Sequence, residues 1–106
     1  MSPPQSRLDI HVGDAELRVS GEIDAHSAAE LADRLAAMPA DRDRRLDVSA
    51  VDFMDSSGLR VLIDAHQTAE ELGTRLVLVS PGPAVSRIIE VSGLTNHLHV
   101  DHADSV

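Results

Sequence analysis

Cysteine is absent from the 106 residues, which removes disulfides, thiolate zinc sites and thiol nucleophiles together. Tryptophan and tyrosine are missing as well, and Phe53 is the sole aromatic ring. The apolar share is nevertheless 42%, so a core has to come mainly from Leu, Val, Ile and Ala. Such a core suits helices layered on a sheet better than a ring-lined cofactor pocket, and it disfavours the aromatic platforms that stack single-stranded nucleic acid. Lysine is absent too. The basic residues are nine scattered arginines, densest at Arg42, Arg44 and Arg45, where Asp41 and Asp43 offset them. Against 18 acidic residues they leave a net charge of −9, which repels phosphate backbones and anionic membranes and suits a basic protein partner or simply solubility. No apolar run approaches the roughly 20 residues of a bilayer span. Met1 to Ser6 carries neither an apolar signal core nor a basic flank. The expectation is a cytoplasmic protein of one domain, with a flexible segment at residues 1–7 and the folded domain over 8–106.

Periodicity supplies the elements. Leu8, Ile10 and Val12 alternate with polar neighbours as in a half-buried strand, Gly13-Asp14 reads as a hairpin turn, and Leu17, Val19 and Ile23 mark a second strand. Ser27 with Glu30 has the spacing of a capping box, followed by Ala28, Leu31, Ala32, Leu35 and Met38 at helical intervals up to Pro39. After a charged loop from Pro39 to Arg45, Leu46, Val48 and Val51 indicate a third strand. A helix is predicted from Ser56 or Ser57 to a stop at Gly73. The run Leu76-Val77-Leu78-Val79 reads as a central strand covered on both faces. Pro83 opens a last helix ending at Gly93-Leu94, and Leu98 and Val100 suggest a short final strand. The order strand, strand, helix, strand, helix, strand, helix, strand implies an α/β fold with a mixed sheet and helical crossovers.

The richest chemistry lies in Phe53-Met54-Asp55-Ser56-Ser57-Gly58-Leu59, where strand gives way to helix. One reading is a plain serine N-cap with a glycine that permits close packing. The other is a switch. A serine at such a corner is open to another enzyme, phosphorylation adds about −1.5 to −2 charges, and the helix dipole tolerates them. That charge would expel a docked partner while leaving the fold intact. A hydrolase nucleophile elbow needs glycine two residues before and two after the serine; Ser56 has Met54 and Gly58, half of that pattern.

Together with Ser20-Gly21-Glu22-Ile23-Asp24, Ser27-Ala28, Leu46-Asp47-Val48 and Val91-Ser92-Gly93-Leu94, this segment resembles the STAS domain, specifically the bacterial anti-sigma factor antagonists, over about Leu8 to Val100. The resemblance implies a single STAS domain of about four to five strands in a small mixed sheet packed with three to four helices. It implies phosphorylation at Ser56 by a serine kinase that is also an anti-sigma factor. The unphosphorylated form binds that kinase and frees the sigma factor; the phosphorylated form lets go, and a phosphatase resets it. ATP serves the kinase, so no cofactor is expected here, and no catalytic activity. The docking surface falls by resemblance on Gly21, Glu22, Asp24, Asp55, Ser57, Gly58 and Leu59. In this reading Asp55 orients the Ser56 hydroxyl, Glu22 and Asp24 meet basic groups, the two glycines keep the approach clear, and Leu59 offers an apolar contact. The chain departs from the family at Arg60, where glycine is frequent, and at its C-terminus, where a fourth helix is often found.

Two rivals accompany this reading: a non-phosphorylated STAS scaffold or transporter-associated interaction module, and a small hydrolase using Ser56. A metal reading of His97, His99, Asp101 and His102 is set aside for want of a further ligand, and His66 is taken as semi-buried packing. A monomer is the default, since no apolar surface stripe is left over.

Overall fold

The computed structural model describes residues 8–102; the segment 1–7 and the tail 103–106 lie outside the described residues. The chain forms β1 (Leu8–Gly13), β2 (Glu16–Ile23), α1 (Ala28–Ala36), β3 (Arg44–Met54), α2 (Ser56–Glu71), β4 (Leu76–Val79), α3 (Pro83–Val91) and β5 (His99–Asp101). The element order is the one that periodicity predicts. The five strands form one sheet in the order β1-β2-β3-β4-β5. β1 and β2 are antiparallel, and every later pair is parallel through a helical crossover.

Sequential parallel neighbours joined by helical crossovers, for which a right-handed path is the general rule, carry the three helices over one core-facing side of the sheet. Burial alternates accordingly. Leu17 and Val19 in β2, Leu46 and Val48 in β3, and Leu76 and Leu78 in β4 point into the core, where Leu31, Leu35, Leu62, Val85 and Ile89 meet them from the helices. Val77 is only half-buried. Val79, on the same face as Val77, is buried at 7% exposure, so the expectation that β4 is covered on both faces holds except at Val77.

The turns follow the residue chemistry with small shifts. β1 keeps Gly13, and the hairpin loop is Asp14-Ala15, with Ala15 at φ 57°. Two-residue hairpins demand positive φ, and here an alanine supplies it. Helices α2 and α3 both end through glycines in the left-handed region, Gly73 (φ 76°) and Gly93 (φ 73°). In each case the next amide reaches back to the helix, from Thr74 to the Ala69 carbonyl at 2.9 Å and from Leu94 to the Ile89 carbonyl at 3.0 Å. Pro83 occupies the first turn of α3, as its missing N–H favours. No described helix is long and apolar enough to cross a membrane.

Candidate functional site

The carboxyl ends of β2 and β3 lie side by side, the end of a parallel sheet where ligands and partners of open α/β folds gather. The Asp55 amide donates to the Ile23 carbonyl at 3.1 Å and pins the start of α2 to the end of β2. Just before that point β2 carries a register shift between Gly21 and Glu22. Gly21 sits at φ 99°, a conformation that glycine adopts without strain, and this bend sets Glu22 opposite Phe53 and Ile23 opposite Met54. One strand end, one loop and one helix start therefore bring Gly21, Glu22, Asp24, Asp55, Ser56, Ser57 and Gly58 to a single corner.

Asp55 is the N-cap of α2. Its extended backbone (φ −105°, ψ −171°) lets Oδ1 accept from the Ser57 amide at 2.8 Å and the Gly58 amide at 3.3 Å. Two expectations change with this. Neither serine is the cap, and Asp55 is engaged with the backbone instead of orienting the Ser56 hydroxyl. Ser56 is the first helical residue and is exposed, and its hydroxyl makes no hydrogen bond among the described residues. The first-turn amides of Ser57 and Gly58, which could have held a phosphate, already serve Asp55. A phosphoryl group on Ser56 would accordingly project into solvent beside a carboxylate.

The β2–α1 turn is organised by Asp24. Its Oδ1 accepts from the His26 amide at 2.9 Å and the Ser27 amide at 3.1 Å, and these bonds, that from Ser27 first, hold its carboxyl below the ordinary value of 3.8 against the opposing effect of desolvation. Asp24 is thus anionic well below neutrality. Ser27 is buried, and its hydroxyl bonds the Glu22 carbonyl and the Asp24 amide, each at 3.0 Å. The expected Ser27–Glu30 capping box does not form, because Ser27 faces backward into the turn.

Two residues assigned to the docking surface face inward. Leu59 is 7% exposed and belongs to the core, so it offers no apolar contact to a partner. Gly58 is buried; a Cβ there would lie 2.6 Å from both Ile23 Cγ2 and Met54 Cγ, so this glycine lets α2 approach β2 and β3 and does not clear a partner's path. The apolar residue open to a partner is Phe53, 48% exposed. In the sequence Phe53 opens the motif segment and is its lone ring, with no role assigned to it. Its position two residues before Asp55 is the available signal, because an aliphatic core has no need of it.

Fold and corner together define a small α/β domain with a mixed five-stranded sheet and an exposed serine at the first turn of its second helix. The family model described as "Mlab, STAS domain" matches residues 6–100. The chain belongs to the STAS domain family. An anti-sigma-B factor antagonist of Staphylococcus aureus (strain NCTC 8325 / PS 47) is 28% identical over 93 residues, 86% of each chain. The crystal structure of an anti-sigma factor antagonist from Mycobacterium paratuberculosis superposes with a TM-score of 0.73 at 32% identity, covering 98% of this chain and 92% of that one. The phosphorylated form of the Bacillus cell fate determinant SpoIIAA shares the fold, with a TM-score of 0.64 at 19% identity over 92% of this chain and 93% of its own.

Proposed function

We propose that this chain is an anti-sigma factor antagonist whose binding is switched by phosphorylation of Ser56. In its unphosphorylated form it binds a serine-kinase anti-sigma factor in the cytoplasm and releases the sigma factor. The kinase then transfers the γ-phosphoryl group of ATP to Ser56: the Ser56 Oγ–P bond forms, the bond to the departing ADP breaks, and the hydroxyl proton passes to a base on the kinase. A separate phosphatase hydrolyses the phosphoserine and restores binding.

The observation that carries this reading is the exposed Ser56 hydroxyl, unbonded among the described residues and directly after the capping Asp55. Asp55 does the structural work at the helix start, which leaves Ser56 available for chemistry. Relatives named as anti-sigma factor antagonists support the partner class. The Ser56 hydroxyl has no histidine partner among the described residues, so we read it as a substrate and not as a nucleophile. The family description names Mlab and not an antagonist, which favours a second reading of the same domain as an interaction scaffold.

The test is site-localised mass spectrometry of the chain from its native cells, with and without phosphatase treatment, joined to binding assays on a serine-kinase anti-sigma factor. Phosphatase-sensitive phosphate on Ser56, binding retained by Ser56→Ala and binding weakened roughly tenfold or more by Ser56→Asp support the switch. No phosphate under any growth condition and unchanged affinity of Ser56→Asp would leave the scaffold reading in its place.

A further inference from the structure

Helix α2 carries a second set of chemically active side chains near its C-terminal end. His66 and Glu70 are four positions apart, so one helical turn stacks them on the same face. The crossover through α3 returns the chain to β5 and brings His99 against that face. His99 Nε2 lies 3.3 Å from Glu70 Oε2, and the rings of His66 and His99 are 5.3 Å apart between centroids. One potential ligand atom from each of His66, Glu70 and His99 lies within 4.8 Å of the others. His66 Nδ1 is buried without a hydrogen-bond partner among the described residues, so no structural bond commits the ring through that atom. His66 and Glu70 line a groove of about 450 Å³ together with Glu71 and His97.

We propose that His66, Glu70 and His99 form a binding site for a divalent transition-metal ion of the zinc class. Two imidazoles and a carboxylate are a donor set that zinc takes with three protein ligands and a water. Tetrahedral coordination at about 2.0–2.1 Å places ligand atoms about 3.3 Å apart. The His99–Glu70 separation already matches this, and side-chain rotation at His66 closes the remaining distance. The net charge of −9 and the carboxylates of Glu70 and Glu71 attract a cation to this end of the helix. The ion would staple the three-residue edge strand β5 to α2. Ser56 lies 10 residues before His66, about 15 Å along the helix axis. The metal site therefore stands apart from the phosphorylation corner and does not depend on it.

The set is not the one suggested by the His-rich C-terminal run. Asp101 is held by Arg45 at 2.7 Å, and of that run only His99 joins the cluster. The other two ligands come from a helix that precedes it by some thirty residues.

The experiment is calorimetric titration of the full metal-stripped chain with ZnCl₂ near neutral pH. It is paired with Co²⁺ titration, read by the intense visible absorption of tetrahedral cobalt, and with thermal melts. The expected result is one ion per chain and a Tm rise of about 10 °C at a hundredfold excess over Kd. Affinity should fall roughly tenfold or more in His99→Gln, His66→Gln and the surface variant Glu70→Gln, and should be unchanged in the remote His11→Gln. Circular dichroism confirms that the variants are folded, and Glu70→Gln keeps the test decisive if a histidine variant is not. Absence of saturable binding, or equal binding by a His66→Gln/His99→Gln double variant, would overturn the site.

Discussion

A methyl group built on Gly58 would meet Ile23 Cγ2 and Met54 Cγ at 2.6 Å and Ile23 Cβ at 3.2 Å, closer than carbon atoms pack. Alanine normally gains about 1 kcal/mol over glycine inside a helix. At this position the overlap with two core side chains outweighs that gain. Gly58→Ala is expected to destabilise the domain by about 1–3 kcal/mol, seen as a lower urea midpoint at unchanged slope. A rise in the midpoint would mean that the corner can relax. The same residue shows how far the sequence speaks at this scale. The motif Asp55-Ser56-Ser57-Gly58 marked the corner correctly, yet the division of labour inside it was not legible. Which of three adjacent polar residues caps the helix depends on a backbone ψ of −171° at Asp55, whose amide is tied to the Ile23 carbonyl of the neighbouring strand. Leu59 shows the same limit, because it lies with Gly58 on the buried side of α2 while Ser56 and Arg60 stay exposed.

Among the elements, β3 departs most from expectation. Arg44 and Arg45 read as part of a solvated charged loop, but β3 begins at Arg44. Its amide donates to the Arg75 carbonyl at 2.9 Å, and the side chain is 4% exposed. Nη1 reaches the Leu35 carbonyl only at 3.5 Å, while Nε and Nη2 have no partner among the described residues. No short pattern discloses this, because three arginines among two aspartates look the same whether one is buried or none. A guanidinium removed from water with so few bonds is a burden on the fold. Arg44→Met, which keeps length and loses charge, is expected to raise stability by about 1–2 kcal/mol in chemical denaturation. A loss of similar size would show that the guanidinium is better satisfied than its bonds suggest. By contrast, the strand and helix order was fully legible, since alternation in β1 and β2 and the apolar stripes of α1, α2 and α3 are each strong local signals.

Over the whole molecule, the corner is locked by backbone bonds while its outer surface stays open. The Asp55 amide on Ile23 and the Ser57 and Gly58 amides on Asp55 hold the helix start in place whatever Ser56 carries. A phosphate added there changes the charge of the surface without removing any of those bonds, which separates switching from folding. Phe53 belongs to this outer surface. It is the chain's one Phe, Tyr or Trp side chain, it is 48% exposed, and in register it pairs with Glu22, one of the acidic residues of the corner. An exposed ring paired in register with an acidic residue fits an interface centre, where aromatic anchors carry much of the binding energy within a polar surround. Because the ring stands largely outside the core, its removal should have little effect on stability and a marked effect on docking. Phe53→Ser is expected to shift the thermal midpoint by no more than a few degrees. It should weaken binding to the serine-kinase anti-sigma factor by about 1–2 kcal/mol, roughly ten- to thirtyfold in Kd. Calorimetry on the purified pair reads the affinity, and a melt of the variant alone reads the fold. Unchanged affinity would move the interface away from the β3 end, whereas a collapsed melt would return Phe53 to the core.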